Sequence, residues 1–197
     1  MTKRREFIAF FILVLVTGLV TFLSPVESLL GRKARLVYFH GAWVWASILA
    51  FVTAAGTGLA GLLGGGDRFH ERSRAWGRVA IVYWLIFLPM ALVVMQANWN
   101  GLFLSEPRWR IPLNLAVIGV FLQLGLSFFP LSWSSAGNLA YLVLFVLWMK
   151  DIGTVLHPES PVAASSSVAI KAAFAVLVLL LYAMAWLAAG WWQRRQR

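Results

Sequence analysis

The chain has 197 residues, 61% of them hydrophobic and 12% charged, with a mean hydropathy of +0.79. Soluble domains carry about a quarter charged residues, so this composition excludes an ordinary water-soluble globule. The net charge of +10 does not point to nucleic acid, because the basic residues flank apolar runs, where they anchor and orient helices. Cysteine is absent, which excludes a disulfide, a thiol relay, covalent haem capture through a cysteine pair and an iron–sulfur site.

Several apolar runs exceed the ~18 residues that cross a bilayer, and the alternation of a β-barrel is missing. The expected fold is all-α: a polytopic membrane protein, one domain over 1–197, built as a bundle of six transmembrane helices. The first span, 7–23, follows MTKRRE and stops at Ser24-Pro25. It lacks a small-x-small cleavage site and reads as a retained signal anchor. The second, 36–63, is longer than a bilayer needs and ends at Gly64-Gly65-Gly66. Its small residues Ala54, Ala55, Gly56, Gly58 and Gly61 predict close helix packing. The remaining spans are 79–96, 111–131, 133–149 (the shortest) and 168–192.

With both termini in the cytoplasm, ten of the seventeen basic residues fall on the inner side. That orientation sets the parity of every connection. His40 lies at the outer end of span two, the segment 98–110 joins spans three and four outside, and His157 lies in the outer loop before span six. His70 is expected in an inner loop. No carboxylate or histidine is expected at mid-membrane depth, which disfavours an ion-coupled transporter or proton relay. A phosphate-cradling loop, an acidic metal cluster and a nucleophilic triad are likewise not visible.

Two histidines on one membrane face, from different helix pairs, are a ligand set for the two axial positions of a haem iron. Around them the sequence offers Trp99, Phe103 and Trp109 as a flat platform and Arg108 and Arg110 as cations for propionates. Tyr38, Trp43, Lys33 and Arg35 lie on the approach to His40. Taken singly, each has a plainer reading: His40 as an interfacial residue, His157 as a loop residue, the tryptophans as an aromatic belt, and Glu106-Pro107 as a helix start.

Three stretches together resemble the CcmC-type members of the cytochrome c assembly superfamily, over roughly 36–192. LVYFHGAWVW resembles the family's opening of the second helix, an aliphatic-Tyr-aromatic-His run followed by Trp. WMKDIGTVLHPESPV resembles the stretch that leads to the second axial histidine. WNGLFLSEPRWRI occupies the place of the tryptophan-rich signature, approximately WGxxWxWDxR, with Ser105 at the final tryptophan and Glu106 at the aspartate. The resemblance implies a non-enzymatic haem-handling protein of the bacterial inner membrane. His40 and His157 would be axial ligands of a non-covalent haem b, and Trp99, Phe103, Trp43 and Arg108 would line its site. It also implies a periplasmic haem chaperone and an ABC-type release complex as partners. Two other classes stay open on the residues alone: a structural or assembly subunit of a membrane complex, and a permease component.

Overall fold

The computed structural model describes residues 3–150 and 160–195. Among these the secondary structure is helical: α1 (Lys3–Leu23), α2 (Ala34–Ala60), α3 (Asp67–Trp99), α4 (Pro107–Gly125), α5 (Leu131–Met149), a single turn α6 (Pro161–Ala164) and α7 (Val168–Arg194). A π-helical turn, Gly61–Gly65, extends α2, and a 3-10 turn, Leu126–Phe128, closes α4. Six of these elements are long and apolar enough to cross a membrane, as expected.

Successive membrane helices run antiparallel. Phe174 near the start of α7 covers Gly41 near the start of α2, whereas Arg194 at the end of α7 pairs with Glu6 at the start of α1. Helix α2 is the axle, packing chiefly on α3 and also on α5 and α7, while α1 leans mainly on α7. An aromatic knot holds the centre. Phe51 of α2 meets Tyr141 and Phe145 of α5 at 5.1 and 5.4 Å between centroids, and the fully buried Trp84 of α3 closes on Phe145 at 4.9 Å. Trp84 also donates its indole N–H to the Pro112 carbonyl at 3.0 Å, and the Tyr141 hydroxyl donates to the Leu115 carbonyl at 2.7 Å. Both bonds use α4 carbonyls within the apolar interior, where an unpaired polar group is costly.

The small-residue face of α2 divides. Ala54, Ala55, Gly58 and Gly61 are buried, but Gly56 faces outward with open space where a Cβ would stand. The expectation of packing at Gly56 is therefore corrected: the rotation of α2 puts it on the lipid side. His70 is also corrected. Helix α3 begins at Asp67, not near Val79, so His70 sits in its first turns rather than in a loop. It is 9% exposed, packs its ring over Gly61 and shares a 2.7 Å hydrogen bond with Ser135 Oγ. The turn that makes this possible is Gly64-Gly65-Gly66, whose Gly64 and Gly66 take φ of 100° and 77°. Asp67 then complements the positive end of α3.

At the opposite end, the turn before α2 is organised by Glu27. Its carboxylate accepts from the backbone N–H groups of Leu30 and Leu29 at 2.8 and 2.9 Å and from Ser28 Oγ at 2.9 Å. The Leu30 bond foremost, then the Ser28 bond, hold its pKa below the usual carboxylate value. A depressed carboxylate contributes above its unfolded pKa, so this turn is lost only as pH falls through the lowered value.

Candidate functional site at the His40 end of the bundle

The alternation of helices brings the start of α2, the end of α3, the 100–106 loop, the start of α4 and the start of α7 to one end. Pro107 opens α4 at its first position, where the missing N–H costs nothing. Glu106 precedes it in extended conformation. Helix α3 stops at Asn100, which adopts a left-handed φ of 52°. Those two ends place the tryptophan-bearing segment at the mouth of the bundle rather than along its side.

His40 is half-buried, and its imidazole lies 5.1 Å from the Phe87 ring of α3 at a 32° tilt. The packing confines the imidazole against an aromatic wall. Immediately beside it, an added Cβ on Gly41 would approach the Phe174 ring of α7 to 3.2 Å, so α7 presses close on this turn. Trp99 is half-buried at the end of α3. Phe103 is 36% exposed, with its backbone N–H on Met95 Sδ at 2.9 Å. Arg108 is half-buried in the first turn of α4, and Arg110 is exposed. Trp99, Phe103 and Arg108 share the end of the molecule at which α2 begins; His40 faces Phe87, which lies about 18 Å before Trp99 along α3. His157 lies outside the described residues.

Trp43 takes a different place from the one its sequence neighbours suggest. It is 9% exposed, stacks on Tyr83 at 4.9 Å and donates its indole N–H to the Tyr83 carbonyl at 2.8 Å. One turn below His40, it secures α2 to α3 inside the bundle. Arg35 is likewise engaged: its Nε donates to the Ser24 carbonyl at 2.9 Å, and its guanidinium lies over Phe22. Trp109 packs against the core.

The structure adds residues that the sequence reading passed over. Phe87 faces His40 directly; its signal is the stripe Tyr83, Trp84, Phe87 on α3, which at helical spacing reads as plain core. Three polar atoms near this end of the helices are buried without a hydrogen-bond partner among the described residues: Tyr38 Oη, Asn98 Oδ1 and Glu106 Oε1. Tyr38 is fully buried and Glu106 is 6% exposed. Such atoms carry a desolvation cost of about 1–3 kcal/mol each when left unpaired, so each calls for a partner such as water or a bound group. No group of three or more His, Cys, Asp or Glu able to hold a bare metal ion occurs among the described residues.

A polar network occupies the other end. Asn138 of α5 donates to the carbonyl and Oγ of Ser73 at 2.8 and 3.0 Å and accepts from Gln123 Nε2 of α4 at 2.8 Å. Ser73 Oγ in turn donates to the Ala54 carbonyl of α2 at 2.8 Å. Every described bond in this network joins one helix to another, so its role is to align α2, α3, α4 and α5.

No protein-family model matches the chain, and no curated protein sequence matches it. What the fold and composition define is a multi-pass α-helical membrane protein.

Proposed function

We propose that the protein handles haem in c-type cytochrome biogenesis at the outer face of a bacterial inner membrane, with both termini cytoplasmic. The observation that carries the reading is His40: a helix-borne imidazole, held against Phe87 on α2, which begins at the bundle end of Trp99, Phe103 and Arg108. The resemblance of the sequence around His40 and His157 to CcmC-type proteins supports the same assignment.

The donor set suits the group in part. His40 would supply one imidazole nitrogen to the iron, and on sequence grounds His157 would supply the second. Trp99 and Phe103 offer ring faces and Arg108 a cation for a propionate. The orphaned Tyr38, Asn98 and Glu106 atoms are consistent with a polar guest at this end. Trp43 contributes by fixing the α2–α3 contact beneath His40, not by lining the site. When bound, haem would supply an iron centre that imidazole nitrogens can hold. The chain's own part is to hold and present it: Phe87 limits the swing of the imidazole, and the apolar bundle keeps water from its inner side. The chain contains no cysteine, so covalent attachment falls to a partner. A periplasmic chaperone and an ABC-type release complex are the partners the family resemblance suggests.

A second reading is a non-haem assembly subunit on the same scaffold. Its support is Trp43, which lies in the stretch around His40 that carries the resemblance and which stacks and hydrogen-bonds on α3 inside the bundle. The absorption spectrum separates the two. Protein expressed with ample haem and purified in mild detergent is expected to show the reduced Soret and α bands of bis-histidine haem. Those bands should disappear in His40→Ala and His157→Ala at unchanged yield. Colourless wild-type protein, or variants with the wild-type spectrum, would sink the haem reading.

A further inference from the structure

The bundle end that carries the start of α1 and the end of α7 holds a cationic assembly that the haem reading does not use. Helix α3 enters with four arginines, which fall into two rows spaced four residues apart, Arg68/Arg72 and Arg74/Arg78. The second row is satisfied within the protein. Arg74 donates from Nε to Ser134 Oγ at 2.7 Å and from Nη2 to the carbonyls of Leu126 and Phe129, and Arg78 Nη2 donates to Ser127 Oγ at 3.0 Å. The first row faces α7. Arg68 and Arg72 line a pocket of about 140 Å³ with Gly190, Gln193 and Arg194. Asp67 and Glu71 are their acidic neighbours in sequence. Arg194 is held at the rim by Glu6, which also accepts the Trp191 indole N–H at 3.0 Å.

This mouth does not stand alone. It shares Arg72, Gly190 and Gln193 with a pocket of about 210 Å³ walled by Thr53, Thr57, Trp76 and Trp186. Trp186 in turn borders an apolar groove of about 580 Å³ between α1 and α7, walled by Ile12, Leu13, Leu179, Ala183 and Leu187. The sequence of surfaces is cationic, then hydroxyl and indole, then hydrocarbon. Along α7 the apolar arm runs from Leu179 to Leu187, a rise of about 12 Å. One leaflet of a bilayer offers ~15 Å of hydrocarbon. The lengths agree, and the order of surfaces is that of a phospholipid read from phosphate to acyl chain.

We propose that this groove binds one phospholipid with a net-anionic headgroup. Its phosphate sits at Arg68 and Arg72, its glycerol region at the Thr53–Trp186 waist, and one acyl chain between α1 and α7. Guanidinium groups pair with phosphate in bidentate fashion. The apolar arm alone would accept any lipid, so the two arginines are what select charge. A free phosphate ion would engage the mouth but has nothing to place in the arm. The site lies at the opposite end from His40 and is independent of the haem assignment.

Native mass spectrometry of the full chain in detergent tests this, with dioleoyl phosphatidylglycerol and dioleoyl phosphatidylcholine competing at equal concentration. The expected result is preferential retention of phosphatidylglycerol. Each cation near a charged lipid surface is worth about fivefold, so Arg68→Gln/Arg72→Gln is expected to lower that preference by roughly tenfold or more. Arg4→Gln/Arg5→Gln removes the same charge near the same end without touching the groove and should leave the preference intact. Ala183→Trp, which fills the arm, should reduce retention of both lipids. Glycerol 3-phosphate should not displace the bound lipid. Equal retention of the two lipids by wild-type protein overturns the proposal, whatever the variants do. So does an equal loss in the Arg4/Arg5 control, displacement by glycerol 3-phosphate, or stoichiometric displacement by haemin.

Discussion

Gly58 stands where three helices meet. A Cβ there would fall 2.9 Å from the Ser135 carbonyl oxygen and the Ser73 hydroxyl, and 3.0 Å from Ser135 Cα. Two of those atoms are backbone and cannot swing aside. Gly56, two residues earlier, has nothing within 4 Å of the same position. Gly58→Val is therefore expected to lower stability in detergent unfolding by about 2 kcal/mol, the range of overpacking in a tight interior. Gly56→Val should change it by less than about 0.5 kcal/mol. If the two behave alike, the rotation of α2 described above is wrong. The same rotation separates His40 from Trp43, three residues apart on α2. One keeps a half-buried imidazole against Phe87, and the other goes into the α2–α3 seam. The sequence shows that both are aromatic-rich interfacial positions; the choice between site and seam depends on which neighbour each meets.

Helix α3 shows what hydropathy can and cannot see at the level of an element. Its apolar part was legible, and 79–96 falls wholly inside the observed Asp67–Trp99. The first twelve residues carry four arginines and look like a loop. They form a helix because one side buries Ser73, Trp76 and Gly77 against the bundle while the arginines leave on the others. A charge count averages over that division. Asn138 is the clearest test of this extension, since it links α5 to Ser73 of α3 and to Gln123 of α4. Single interhelical hydrogen bonds in bilayers contribute at most about 1.7 kcal/mol. Asn138→Ala removes three together, so a loss of about 2 kcal/mol is expected in detergent unfolding, without effect on any haem spectrum. A neutral outcome would mean that the α3 entry is not packed as described.

For the whole molecule, the even number of membrane-length helices puts the start of α1 and the end of α7 at one end, and the first turns of α3 add their arginines to that end. The positive-inside tendency is the ground on which we propose that this end is cytoplasmic. The natural absence of cysteine makes the test clean. Ser105→Cys, in the loop before α4, is expected to react with an impermeant maleimide in intact cells. Gly66→Cys, at the turn into α3, should react only after permeabilisation. The reverse pattern would place His40 on the cytoplasmic side, and an outer-face haem site would be untenable.

The helical class and the number of helices long and apolar enough to cross a membrane followed from the sequence by itself. Transfer of apolar residues into a bilayer is nearly additive along the chain, so a one-dimensional reading captures it. The start of α2 and the 98–110 segment came to one end for the same reason, since span parity needs no side-chain detail. Only the tertiary structure decided that Trp43 belongs to the interior, that Gly56 faces lipid and Gly58 does not, and that Phe87 backs His40. It alone brought Arg68 and Arg72 of α3 beside Gly190 and Gln193 of α7, across more than a hundred residues of chain. Those outcomes depend on the rotation of each helix about its own axis. Rotation is set by packing and hydrogen bonds between helices, which no local property of the chain records.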